Sequence, residues 1–324
     1  MSPDRLRLRV GTRGSRLALW QTDHVVRQLQ TAWPDLHVEQ VVISTLGDRI
    51  GDVALSRLGD KGVFTRELDE GLLNGSIDFA VHSLKDLPTM PAADLALGAV
   101  LPRADPRDVL VSSRGETLAT LAPGATVGTS SLRRRAQIAA LRPDLSVVDL
   151  RGNVPTRVDK VRAGGLDAAV LAHAGLQRLG LESRIAELLD PARFVPAPAQ
   201  GALAVQVRRG DDRVAAMIAP LDDRPSRLTT TAERAVLGFL EGGCQVPVGA
   251  FARLEGQALR LTGLVASLDG RVVVRRESSA SVETPEEATA VGEQLARELI
   301  AAGAGEVLSA IRLAPAAAHE GGRA

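Results

Sequence analysis

Three segments place arginine where a strand pattern gives way to a helix pattern: Gly11-Thr12-Arg13-Gly14-Ser15, Gly128-Thr129-Ser130-Ser131-Leu132-Arg133-Arg134-Arg135, and Arg151-Gly152-Asn153-Val154-Pro155-Thr156-Arg157. A helix start offers free N–H groups and the positive end of the macrodipole, so it favours an anion. Arginines in a first turn oppose that dipole unless an anion sits among them; the alternative is a solvated basic face. Each junction falls at the C-terminal end of an expected strand, where open α/β sheets bind ligands. Three that face one cleft imply a polyanion, with several carboxylates or phosphates, and guanidinium suits planar carboxylates best.

Val81-His82-Ser83-Leu84-Lys85-Asp86-Leu87-Pro88 leaves the sheet with a lysine beside an aspartate. Of 39 basic residues only Lys61, Lys85 and Lys160 are lysine, so each can mark a place where a guanidinium does not fit. A carboxylate at Asp86 can orient an N–H donor or shuttle a proton, whereas an exposed ion pair with Lys85 would contribute little. Gly59-Asp60-Lys61-Gly62-Val63-Phe64 reads as a lid loop or a plain turn. Cys244, the single cysteine, sits between glycines and Gln245-Val246-Pro247. A lone cysteine is commonly a small buried hydrophobe, but one on a loop tip can react as thiolate. It cannot form an internal disulfide or a cysteine-based zinc site, and no close histidine pair exists, so no metal site is expected. Neither GxxxxGK[ST] nor a strand-following GxGxxG is present, which weakens a nucleotide reading.

Composition narrows the class. The chain has 324 residues, 45% hydrophobic and 24% charged, with 39 basic and 39 acidic side chains, so most of it should fold into two or three domains. Balanced charge and 2% aromatics argue against nucleic-acid binding, including an RNA reading of Arg133-Arg134-Arg135. No apolar run is long enough to span a membrane. The first residues lack a signal-peptide core, so the expected location is cytoplasmic.

Strand and helix signals must position these groups. Leu6 to Gly11 reads as a strand, Leu17 to Trp33 as a helix stopped by Pro34, Val38 to Thr45 as a strand, Phe64 to Leu73 as a helix and Ile77 to Val81 as a strand. A similar alternation follows: strands at Asp108 to Val111, Ala125 to Gly128, Ser146 to Leu150 and Asp167 to Leu171, with helices from Leu132 to Leu141, to Ala163 and towards Leu179. This predicts α/β architecture with two doubly wound, mainly parallel lobes. Crossings near 101–106 and 194–201 suggest a cleft closed by hinge motion. After Pro225 a helix, three strands and a helix predict a small α+β domain. The expected domains are 1–101 with 202–219, then 107–195, then 224–324.

Seven segments, in order, resemble the porphobilinogen deaminase (hydroxymethylbilane synthase) family: Gly11 to Gln21, Lys61 to Phe64, Val81 to Pro88, Gly128 to Arg134, Leu150 to Arg157, Ala174 to Gly180 and Leu240 to Pro247. The resemblance implies two lobes like type II periplasmic binding proteins plus the small C-terminal domain. It implies a transferase that joins four porphobilinogen molecules head-to-tail, releasing ammonia, into hydroxymethylbilane for tetrapyrrole and heme biosynthesis. It further implies a dipyrromethane cofactor joined to Cys244 by a thioether. Asp86 would be catalytic. Lys85, Ser83, Thr129, Ser131, Arg133, Arg134, Arg157 and Gly175 would hold the cofactor. Arg13, Ser15, Arg151, Arg157, Arg178 and Gln200 would bind substrate, with Lys61 and Phe64 on a lid. A monomer is expected on the resemblance alone. The other function weighed is a non-catalytic, two-lobed polycarboxylate-binding protein.

The chain departs from the family at the second crossing: Ala199, Ala204 and Gln206 stand where glycine, glycine and glutamate are usual. Ala199 beside Pro198 is expected to stiffen this hinge.

Overall fold

The computed structural model describes residues 6–45, 65–90, 92–240 and 246–313. These form two compact units. One comprises the described residues of 6–104 with 201–227, the other 105–200 with the described residues of 228–313.

In the first unit, β1 (Arg7–Thr12), α1 (Arg16–Ala32), β2 (His37–Val42), α2 (Arg66–Leu73), β3 (Phe79–Ser83) and β4 (Leu95–Val100) follow in order. The Ser15 hydroxyl accepts from the Ala18 N–H at 3.2 Å and starts α1. The helix ends before Pro34, which disfavours the helical region for its predecessor. α1 buries Val25, Val26 and Leu29 in one cluster with Leu8, Val10, Phe79 and Val81 of the sheet.

The second unit holds β5 (Asp108–Ser112), β6 (Thr126–Gly128), α3 (Leu132–Leu141), β7 (Ser146–Val148), α4 (Val154–Arg162), β8 (Ala168–Ala172), α5 (His173–Arg178) and β9 (Glu187–Leu188). The chain then returns to the first unit as β10 (Leu203–Arg208) and α6 (Asp212–Ile218).

The two α/β sheets share one topology. The first has the order β2-β1-β3-β10-β4 and the second β7-β6-β8-β5-β9. In each, four strands run one way and the fourth in spatial order runs against them. That strand is the one entered from the other unit: β10 in the first sheet, β5 in the second. The halves thus share an architecture without being a sequence repeat, and "mainly parallel" acquires one antiparallel strand per sheet. β10 and β4 carry no strand expectation from sequence. Leu203 of β10 pairs with Ser83, so the returning strand fixes the end of β3.

The C-terminal elements are α7 (Arg224–Phe239), β11 (Val248–Glu255), β12 (Ala258–Ala266), β13 (Val273–Ser281), α8 (Pro285–Leu299) and α9 (Gly305–Leu313). Leu228, Val236, Leu261, Leu295 and Leu299 share one core with the antiparallel sheet β11-β12-β13. The last strand begins at Val273, because Asp269-Gly270 makes the preceding turn. A Cβ on Gly270, whose φ is +71°, would overlap the backbone of Ala139 and Ala140 at the end of α3.

Ala199 is buried and has a φ of 61°, the one positive value at a non-glycine residue among those described. This left-handed conformation costs an L-residue about 1–2 kcal/mol. Its N–H donates to Glu233 Oε2 at 2.6 Å, while Glu233 Oε1 accepts from the Ala252 N–H at 2.6 Å. A buried carboxylate therefore pins this segment to β11 and offsets the strain.

Candidate active site

In the first unit the site residues lie on two strand ends. β1 delivers Arg13, half-buried, and Ser15, whose oxygen is already engaged as the α1 cap. Thr22 donates to Thr12 at 2.7 Å between buried hydroxyls and ties α1 to the end of β1. β3 continues into a short 3-10 turn, Leu84–Asp86. Leu84 and Leu87 are buried and anchor it, and the Leu84 N–H donates to the Ala202 carbonyl at 3.0 Å. The turn leaves Lys85 half-buried and Asp86 exposed. No hydrogen bond or ion pair engages the Asp86 carboxylate among the described residues, which disfavours the surface ion-pair alternative.

Behind this turn His82 is enclosed, with no partner for Nε2. Burial pushes its imidazole down to about 4; the neighbouring Gln206 side chain works the other way, and the Arg13 charge adds to the lowering. Gln206 is neutral, so no anion is supplied at that position to hold the imidazole charged. A histidine whose folded value lies below the unfolded 6.5 stabilises the fold fully above pH 6.5 and loses that contribution as pH falls towards 4. The loss should reach about 3 kcal/mol. Urea unfolding of the wild type between pH 7.5 and 4.5 should show this decline, and His82→Gln should flatten it. Equal slopes in both proteins would assign the decline to other groups.

In the second unit two loops are the expected arginine-bearing junctions, after β6 and β7, and a further loop follows β8. After β6, the Ser131 hydroxyl accepts from the Arg134 N–H and starts α3, while Ser131 N–H donates to Thr129 Oγ1 at 3.2 Å. Ser130 Oγ donates to the Leu150 carbonyl at 2.8 Å, linking this loop to the next. After β7, Asn153 caps α4, and Arg157 Nε donates to the Gly152 carbonyl at 2.7 Å. Lys160 Nζ reaches the Arg151 carbonyl at 3.2 Å and props the same loop. After β8, Gly175 is buried and Arg178 closes α5. Burial pushes the Arg178 guanidinium down to about 10, so it remains charged at neutral pH.

The anion that the arginine-rich helix start calls for is partly internal. Asp108, fully buried at the start of β5, accepts from Arg133 Nη1 at 2.7 Å, Arg134 Nη2 at 2.7 Å and Gln200 Nε2 at 2.9 Å. Arg133 also donates to the Val195 carbonyl and Arg134 to that of Val170. Burial alone would raise the Asp108 carboxyl; the charges of Arg133 and Arg134 outweigh it and hold the group well below the usual carboxylate range. Two guanidiniums face one carboxylate, so the cluster keeps a positive charge, and Arg133 Nε is buried without a partner. Arg135 instead forms a peripheral pair with Asp149 at 3.4 Å.

The structure brings together Arg133, Arg134 and Gln200, all singled out from the sequence, around Asp108, which was not. Its available signal was a charged residue opening the otherwise apolar run Val109-Leu110-Val111. Sequence reasoning also missed Gln137, which holds both the N–H and the carbonyl of Val195. Cys244, Lys61 and Phe64 lie outside the described residues.

Residues 8–216 match a family model for "Porphobilinogen deaminase, dipyromethane cofactor binding domain", and residues 227–301 match the model for the C-terminal domain of the same family. The porphobilinogen deaminase of Moorella thermoacetica is 52% identical over 307 residues, covering 95% of this chain and 97% of that protein. That of Bordetella parapertussis is 50% identical over 303 residues, covering 94% and 96%. Among solved structures, the VFT2 domain of Bordetella pertussis BvgS, as a double mutant, is 17% identical with a TM-score of 0.42, covering 67% of this chain and 86% of that one.

Proposed function

The chain belongs to the porphobilinogen deaminase family, and from that premise we propose that it joins four porphobilinogen molecules head-to-tail, with release of ammonia, to give hydroxymethylbilane. The observation carrying the site assignment is the excess positive charge of the Arg133–Arg134–Asp108 cluster at the start of α3. A dipyrromethane bears several carboxylates, and a buried cluster with one uncompensated charge and an unpartnered Arg133 Nε suits such a group. When bound, the dipyrromethane supplies an electron-rich pyrrole as the primer for elongation. Thr129, Ser131, Arg133, Arg134, Arg157 and Gly175 of the second unit, with Ser83 and Lys85 of the first, hold it. Cys244 would hold it as a thioether, its thiolate forming the S–C bond at a methylene carbon whose C–N bond breaks with release of ammonia.

The remaining donors serve the substrate. Arg13, Ser15, Arg151, Arg157, Arg178 and Gln200 hold the acetate and propionate groups of porphobilinogen, two carboxylates on every ring. Arg178, little hydrated, is suited to such a partner. Asp86, exposed and otherwise uncommitted, accepts pyrrole N–H bonds at its carboxylate oxygens and stabilises the positive charge that develops as ammonia leaves. The proposed domains are 1–101 with 202–219, 107–195 and 224–324, acting as a cytoplasmic monomer without nucleic-acid partners. No helix among the described residues is long and apolar enough to cross a membrane. A non-catalytic receptor finds no support in relatives that carry the enzyme's name.

Intact mass tests the assignment. The purified protein should be heavier than its chain by a two-pyrrole adduct and should convert porphobilinogen. Cys244→Ser should fold, show the bare chain mass and lose activity. An unmodified wild type with full activity would overturn the role of Cys244.

A further inference from the structure

We propose that Gln21 is a positioning residue that fixes the Ser83 hydroxyl as a hydrogen-bond donor to a bound carboxylate. Gln21 lies on α1 and is 4% exposed. Its Nε2 donates to Ser83 Oγ at 2.9 Å, across 62 residues of sequence. Ser83 ends β3 and occupies the cap position of the turn that carries Lys85 and Asp86, with extended backbone at φ −68° and ψ 120°. Serine at such a position ordinarily turns its oxygen onto an N–H of its own helix. Ser83 makes no such bond.

A hydroxyl has one donor site and two acceptor sites. An amide N–H in one acceptor site leaves the proton directed elsewhere, and Nε2 cannot take it back. A ligand carboxylate only accepts, so it requires Ser83 in this polarity. Gln21 is itself well placed to hold that choice, because the adjacent Thr22 locks α1 to Thr12 at 2.7 Å. The inference rests on the proposal that Ser83 contacts the dipyrromethane; Gln21 acts through Ser83 and touches no ligand.

The test uses full-length apoprotein, made in cells that produce no porphobilinogen and then mixed with porphobilinogen. Intact mass gives the half-time of adduct formation for wild type, Gln21→Met, Ser83→Ala and the double variant, with melting temperature as a control for folding. Loading should slow about three- to tenfold in each single variant, the scale of one hydrogen bond. The double variant should be no slower than Ser83→Ala within about twofold, because both changes remove one interaction. Gln21→Glu can only accept from Ser83, so it should load at least as slowly as Ser83→Ala despite its matching shape. Wild-type loading by Gln21→Met, or losses that multiply in the double variant, would overturn the inference while leaving Ser83 as a ligand. Wild-type loading by Ser83→Ala would remove Ser83 from the site and the role of Gln21 with it.

Discussion

Asp86→Asn is expected to lower turnover by about 10²-fold or more while the protein folds and carries its cofactor, the scale of losing one electrostatic stabiliser. The turn that presents Asp86 is held by its neighbours, through buried Leu84 and Leu87 and the Leu84 N–H bond to Ala202. Asparagine keeps the shape and one acceptor oxygen, so the scaffold has no reason to move. It loses the negative charge that opposes the cation formed as ammonia departs. Asp86→Glu keeps the charge but displaces it by one methylene, and should retain more activity than Asn despite the poorer fit. Turnover per adduct-bearing chain, with adduct quantified by intact mass, separates chemistry from loading. Asn outperforming Glu at equal loading would show that charge is not what this residue supplies. Normal turnover in both would reduce Asp86 to a surface residue worth at most about 1 kcal/mol of stability.

The elements that carry local signals were legible in the sequence. α3 begins and ends where the hydroxyl cap at Ser131 and the proline at 143 place it. β10 was not legible, because it lies between β3 and β4 and is buried along Leu203–Val207. A strand covered on both faces shows no alternation, and Ala-Leu-Ala-Val reads equally as helix. α6 is seven residues long and too short for a periodic signal. For the proposed site, residue types and strand-end positions pointed to the arginines and Asp86, since these depend on spacing along the chain. Asp108 and Gln21 were illegible for the opposite reason. Their partners lie 25 and 62 residues away, and only the completed sheets bring them together.

The internal anion changes what the loss of an arginine means. Asp108→Asn should destabilise the protein by about 3–5 kcal/mol, because it leaves two buried guanidiniums with no charged partner. Side-chain exposure of 4% at Arg133 and 8% at Arg134 gives water little chance to replace the carboxylate. Arg134→Met removes one cation and leaves Asp108 with Arg133 and Gln200. It should therefore cost less than Asp108→Asn. In the double variant the losses should fall short of additive by about 1 kcal/mol or more, since the two residues share one contact. Equilibrium urea unfolding at pH 7 measures all three. The sign of the acid response follows from the depressed Asp108 carboxyl: its contribution is complete above about pH 4 and is lost as pH falls through its lower folded value. The wild type should lose stability over that acid range and Asp108→Asn should lose correspondingly less. Additive losses, or an Asp108→Asn protein as stable as wild type, would mean that this carboxylate does not anchor the arginines. Failure of Arg133 or Arg134 variants to load cofactor would then report on carboxylate binding alone.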